Sequence, residues 1–114
     1  AYQMPLSDYE TEYIHPQDNS CRTDVRWFNI SDGKKTLSVV GEKPLCIRAW
    51  DYGEEDLEGA AHPYEIKRGR FVNLNIDQNL HGVGGVDTWG QPTLEQYTID
   101  GNQPYHYSFI LKWR

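Results

Sequence analysis

The sequence predicts an all-β chain, an antiparallel β-sandwich with one short helix, and three observations carry that expectation. Turn-forming residues recur at intervals of about ten, the spacing of short antiparallel strands. The runs between them alternate apolar and polar residues with period two. Aromatic residues make up 13% of the chain against a modest 38% of apolar residues in all, so rings must fill the core or line its sites. Antiparallel strands of this kind close a core by packing sheet on sheet.

In chain order, "TDVRWFNI" (23–30) sets Val25 and Trp27 on one face against Asp24 and Arg26. "SDGKK" then supplies turn chemistry, and "TLSVVG" (36–41) returns as the hairpin partner. "PLCIRAW" (44–50) places Leu45, Ile47 and Ala49 together, and "RFVNLNID" (70–77) alternates Val72, Leu74 and Ile76 against polar neighbours. Between them, "GEEDLEGAAHPYEI" (53–66) reads as the helix: acidic residues crowd its first turn, and Gly59 with Pro63 confines it to about two turns. The closing "YHYSFILKW" (105–113) puts Tyr105, Tyr107, Phe109, Leu111 and Trp113 on one side. Tyr97 and Ile99, before the turn "DGNQP", are its expected hairpin partner.

The chain, residues 1–114, fits one domain, and no internal repeat or linker divides it. A net charge of −6 argues against nucleic acid as a partner. The apolar runs are too short to cross a bilayer, so no membrane partner is expected. Cys21 and Cys46 lack the companions of a zinc site, and the sequence leaves two thiols or one disulfide open. His62 and Glu65 are only two ligands, which do not make a metal site. Arg22, Asp24 and Arg26 alternate as a stabilising ion-pair network would. His15, His81 and His106 are isolated, and no serine or cysteine lies in a nucleophile context, so the chain alone is not expected to catalyse a reaction.

The stretch with most information is the loop between Asp77 and Gln96, centred on "HGVGGVDTWGQP" (81–92). Loops of such length in compact domains are functional or disordered, and Leu80, Val83, Val86 and Trp89 are too apolar to leave in water together. "GVGG" lacks the glycine spacing and the following helix of a phosphate cradle. Two readings of Trp89 stay open. It plugs the end of the sandwich, or its indole face offers a platform to the C–H groups of a sugar while Asp87 accepts hydroxyl protons.

"YIHPQDNSCRTDVRW" (13–27), "AWDYGEEDLEGAAHPYEI" (49–66), "LNIDQNLHGVGGVDTWGQP" (74–92) and "YHYSFIL" (105–111) resemble, in order and spacing, the C-terminal end of the large bacterial β-galactosidases of glycoside hydrolase family two. The resemblance runs from about Tyr9 to the end. It implies that the chain is the last segment of the final domain, a β-sandwich of the β-galactosidase small-chain, galactose-mutarotase-like supersandwich type, with its earlier strands preceding Ala1. It further implies a parent enzyme that removes terminal non-reducing β-D-galactose from β-galactosides with retention. Two glutamates about 5 Å apart would do that chemistry on another domain, so the segment alone would be inactive. In the family the tryptophan of the G-G-x-[DN]-[ST]-W motif stacks on the sugar; here that residue is Trp89, with Asp87 and His81 beside it. Val86 stands where many members carry an acidic or amide residue.

No cofactor is expected in this segment, and the Mg²⁺ and Na⁺ that the family often uses would bind elsewhere in the parent. The expected partners are a β-galactoside, the rest of the parent chain and further copies in a homo-oligomer, in a bacterial cytoplasm or periplasm. A free-standing carbohydrate-binding or purely structural sandwich is the alternative.

Overall fold

The computed structural model describes residues 1–12, 19–82 and 89–114. Its elements are α1 (Leu6–Tyr9), β1 (Arg22–Ser31), β2 (Thr36–Trp50), α2 (Glu54–Glu58), β3 (Asn73–Asp77) and β4 (Phe109–Trp113), with 3₁₀ turns at Pro63–Glu65 and Glu95–Tyr97. The expected all-β, antiparallel character is what is found. Among the described residues the strands form one four-stranded antiparallel sheet. The expected helix is present as α2; the additional α1 follows Pro5, whose fixed φ and missing N–H suit a helix start.

β2 is the axis of the sheet. The two strands expected over 36–41 and 44–50 are one strand of 15 residues. β1 lies along one side of it, pairing from Ser31↔Thr36 to Arg22↔Ile47. The other side is shared end to end, by β4 against Leu37–Gly41 and by β3 against 46–50. Thus β4 pairs with β2 and not with Tyr97 and Ile99 as expected, since Glu95–Tyr97 is a 3₁₀ turn. β4 is also shorter than expected, because residues 105–108 make no strand.

A break in the middle of β2 explains why two strands were expected. Between Trp27↔Val40 and Val25↔Leu45, β2 advances five residues while β1 advances two, a bulge centred on Glu42, Lys43 and Pro44. Proline has no N–H to give to a ladder, and here it stands where the ladder is interrupted. The same irregularity corrects the expected face pattern of β1. Val25 stays on the core side opposite Leu45, whereas Trp27 pairs with Val40 and is 53% exposed. A second irregularity at Asp24, which takes a positive φ of 57°, breaks the regular alternation of Arg22, Asp24 and Arg26. Arg22 turns to the N-terminal segment, its guanidinium 4.5 Å from the Tyr9 ring centroid and donating to the Tyr9 carbonyl at 3.0 Å.

Among the described residues two clusters form the core. Val39, Leu45 and Ile47 of β2 pack with Val25, Phe28, Leu74, Ile76 and Phe109. Trp50, Tyr52 and Ile66 pack with Leu57 and Ala60 beyond the end of β2, the Trp50 and Tyr52 rings stacked at 4.9 Å. The Tyr9 hydroxyl ties α1 to the sheet by donating to the Ile47 carbonyl at 2.9 Å. Cys21 and Cys46 are not joined in a disulfide.

Candidate functional site

β3 ends at Asp77, opposite Cys46, and β4 begins at Phe109, opposite Gly41. The chain therefore leaves the sheet after Asp77 and rejoins it at Phe109 in the same place, beside the bulge of β2. The return is fastened there: the Tyr107 hydroxyl donates to the Ile76 carbonyl at 3.0 Å, and Glu42 N–H donates to the Ser108 carbonyl at 3.1 Å. Two shallow hollows of about 250 and 370 Å³ flank the bulge over Lys43, Pro44, Leu45 and Gln78.

The excursion narrows to a neck. Gly82 N–H donates to the Tyr97 carbonyl at 2.8 Å, and the Thr93 hydroxyl donates to the Gly82 carbonyl at 2.6 Å. Ile99 N–H donates to Nδ1 of His81 at 3.1 Å. The far wall of the neck is stiffened by the Glu95–Tyr97 turn, where Tyr97 N–H donates to Leu94 and Thr98 N–H to Glu95. A Cβ on Gly82 would lie 2.7 Å from both Thr93 Cγ2 and Tyr97 Cβ, so only glycine fits the neck without displacing a wall.

Past the neck, Trp89 is 90% exposed, and Gly90 takes a positive φ of 85°. The exposure removes the reading of Trp89 as a core plug within this chain. Leu80 is also exposed, so the apolar residues expected to cover one another include two that meet water. Asp87, Val83 and Val86 lie outside the described residues. His81 is placed at the neck, and its ring accepts through Nδ1, so the neutral imidazole carries its proton on Nε2. Gly82 and Thr93 were not singled out from sequence, and Tyr97 was named only as a strand residue: one glycine among four in the segment, and a threonine ten or more residues away, carry no local signal of their pairing.

The other candidates have structural uses. Glu65 spends its carboxylate on the backbone N–H groups of Ala61 and His62, at 2.8 and 3.1 Å, and so caps the Pro63–Glu65 turn. His62 stacks on Tyr64. In the acidic run, Asp56 accepts from Gly53 N–H and from Arg70, and Glu54 pairs with Arg48. Among the described residues no three His, Cys, Asp or Glu side chains gather as a metal site. No described helix is long and apolar enough to cross a membrane.

A four-stranded antiparallel sheet with a necked loop that holds an indole out into solvent defines an all-β domain with one long loop beyond its sheet. The family described as "Beta galactosidase small chain" matches residues 1–111, and the chain belongs to that family. It is 31% identical over 97% of its length to a beta-galactosidase of Halalkalibacterium halodurans. To a beta-galactosidase of Bifidobacterium adolescentis it is 34% identical over 88% of its length. To the beta-galactosidase small subunit of Latilactobacillus sakei it is 29% identical over 90%. The chain spans 11%, 10% and 36% of those three relatives, respectively.

Proposed function

We propose that this chain is the C-terminal segment of the final β-sandwich domain of a longer β-galactosidase of glycoside hydrolase family two, and that its own contribution is to bind sugar at the mouth of the active site. The parent would hydrolyse terminal non-reducing β-D-galactose residues with retention, through two glutamates outside this chain. Trp89 supplies the platform, Asp87 accepts hydroxyl protons, and Nε2–H of His81 is a donor for a further hydroxyl. Mg²⁺ and Na⁺ would be held elsewhere in the parent, and no step here runs through them.

The observation that carries the reading is the 90% exposure of Trp89 beyond a hydrogen-bonded neck, in a chain of the β-galactosidase small-chain family. Leaving an indole in water forgoes its burial, and a sugar face laid on it recovers part of that. Stacking that is equal in ground and transition states lowers KM alone, whereas stacking that tightens as the sugar ring flattens raises kcat. Trp89→Ala in the full-length enzyme should weaken galactoside binding by about 1–3 kcal/mol, the scale of one buried apolar side chain. Unchanged KM and kcat for lactose would overturn the proposal.

A further inference from the structure

We infer that Thr93 and Gly82 are positioning residues, which together with Nδ1 of His81 form a clasp across the neck of the loop that sets where Trp89 is held. The inference rests on the proposed sugar-binding role of Trp89. Three bonds cross the neck from side to side: Thr93 Oγ1 to Gly82 O at 2.6 Å, Gly82 N to Tyr97 O at 2.8 Å, and Ile99 N to His81 Nδ1 at 3.1 Å. They join residues that are 11 to 18 positions apart in sequence, so they close the loop at its base while leaving its tip outside. Gly82 is required there for space. Its Cβ would strike both walls at 2.7 Å, and those walls are Thr93 and Tyr97, the same residues that bond to its backbone.

Closing a loop at its neck removes much of the conformational freedom of everything it carries. A platform already held in place has less ordering to pay when a ligand arrives. The bonds of Thr93 and Gly82 touch no ligand themselves and act on it through the residues the loop carries, Trp89 first, which makes their contribution separable from general stability.

The test is a double-mutant cycle in the full-length enzyme with lactose as substrate. Thr93→Val removes the hydroxyl and keeps the branched shape. It should raise KM about threefold to tenfold, the effect of one hydrogen bond, and Thr93→Ser should restore it. In the Trp89→Ala background the same Thr93→Val change should raise KM less. Gly82→Ala should reproduce the pattern. Amide exchange of the peptide covering residues 81–93 gives a readout that does not depend on sugar: Thr93→Val should speed it. An equal rise in KM with and without Trp89, or unaltered exchange, overturns the clasp. Faster exchange together with a silent Trp89→Ala overturns the proposed function instead and leaves the clasp a structural device.

Discussion

Tyr52 and Trp89 show the two uses to which this chain puts its rings. Tyr52 is 1% exposed, stacked on Trp50, with the Arg68 guanidinium 4.8 Å from its ring centroid. Its hydroxyl oxygen accepts from Asn19 Nδ2 at 3.1 Å, and Asn19 in turn takes the hydroxyls of Thr11 and Ser20 on its Oδ1. Burial pushes the phenol above its ordinary value of 10.0, and the charge of Glu10 pushes the same way, while the Asn19 bond and Arg68 pull it down. A group whose pKa is raised on folding favours the folded state fully below the unfolded value. Tyr52 should therefore support the fold at neutral pH and cease to do so as pH climbs past about 10. The tyrosinate absorbance lost on Tyr52→Phe should titrate above the ordinary tyrosine range, and the variant should show a shallower alkaline loss of stability. A difference spectrum that titrates at the ordinary value would contradict this. The composition predicted that rings would fill the core or line its sites. Tyr9, Trp50 and Tyr52 do the first, whereas Trp27, Trp89 and Trp113 are exposed, and a count of aromatics cannot distinguish the two.

At the scale of elements, β2 decides the architecture, and its bulge decides β2. Gly41 begins that bulge. A Cβ there would overlap the Lys43 carbonyl oxygen and come to 2.8 Å from Leu45 Cγ, a buried core side chain. Gly41→Ala should destabilise the fold by about 1–3 kcal/mol, the cost of forcing extra volume into a packed site. Thermal unfolding would measure it, and an unchanged midpoint would mean that the bulge relaxes freely. The strands themselves were legible because each run alternates, and so was the β1–β2 turn. Asp32 Oδ1 accepts from the backbone N–H groups of Lys34 and Lys35, and Gly33 takes a φ of 87°. The continuity of β2 was not legible, because proline ordinarily marks a strand end and here lies in a gap of the ladder. Nor was the partner of β4. Neighbours in sequence usually pair, but the edge of β2 left vacant by β3 took it instead. The outward turn of Trp27 depends on a bulge that no residue type announces. The loop was legible as a candidate site from its length and its glycines, and the resemblance to a known family pointed to Trp89 within it. The neck that holds it joins residues too far apart for any local pattern.

At the scale of the whole molecule, the sheet ends before its apolar surface does. Trp27, Val40 and Ile110 are register neighbours across β1, β2 and β4 and are 53%, 40% and 57% exposed. Leu111 and Trp113 of β4 are 54% and 66% exposed. Among the described residues no strand pairs with the outer edge of either β1 or β4. An edge strand that carries such side chains is a template for a further strand, and an apolar patch of this kind marks a surface that other protein covers. The 114 residues produced alone should therefore self-associate. The net charge of −6 opposes that association. Salt screens such repulsion over about 8–10 Å at physiological strength without weakening apolar contact, so association should rise with ionic strength. Ile110→Lys with Trp113→Lys should reduce it, by placing charge on the β4 edge. Sedimentation or light scattering across a concentration series reads all three effects. A chain that stays monomeric at high concentration and high salt would show that the exposed apolar side chains of β4 need no cover. A chain that associates less as salt rises would show that charge, not apolar surface, holds the copies together.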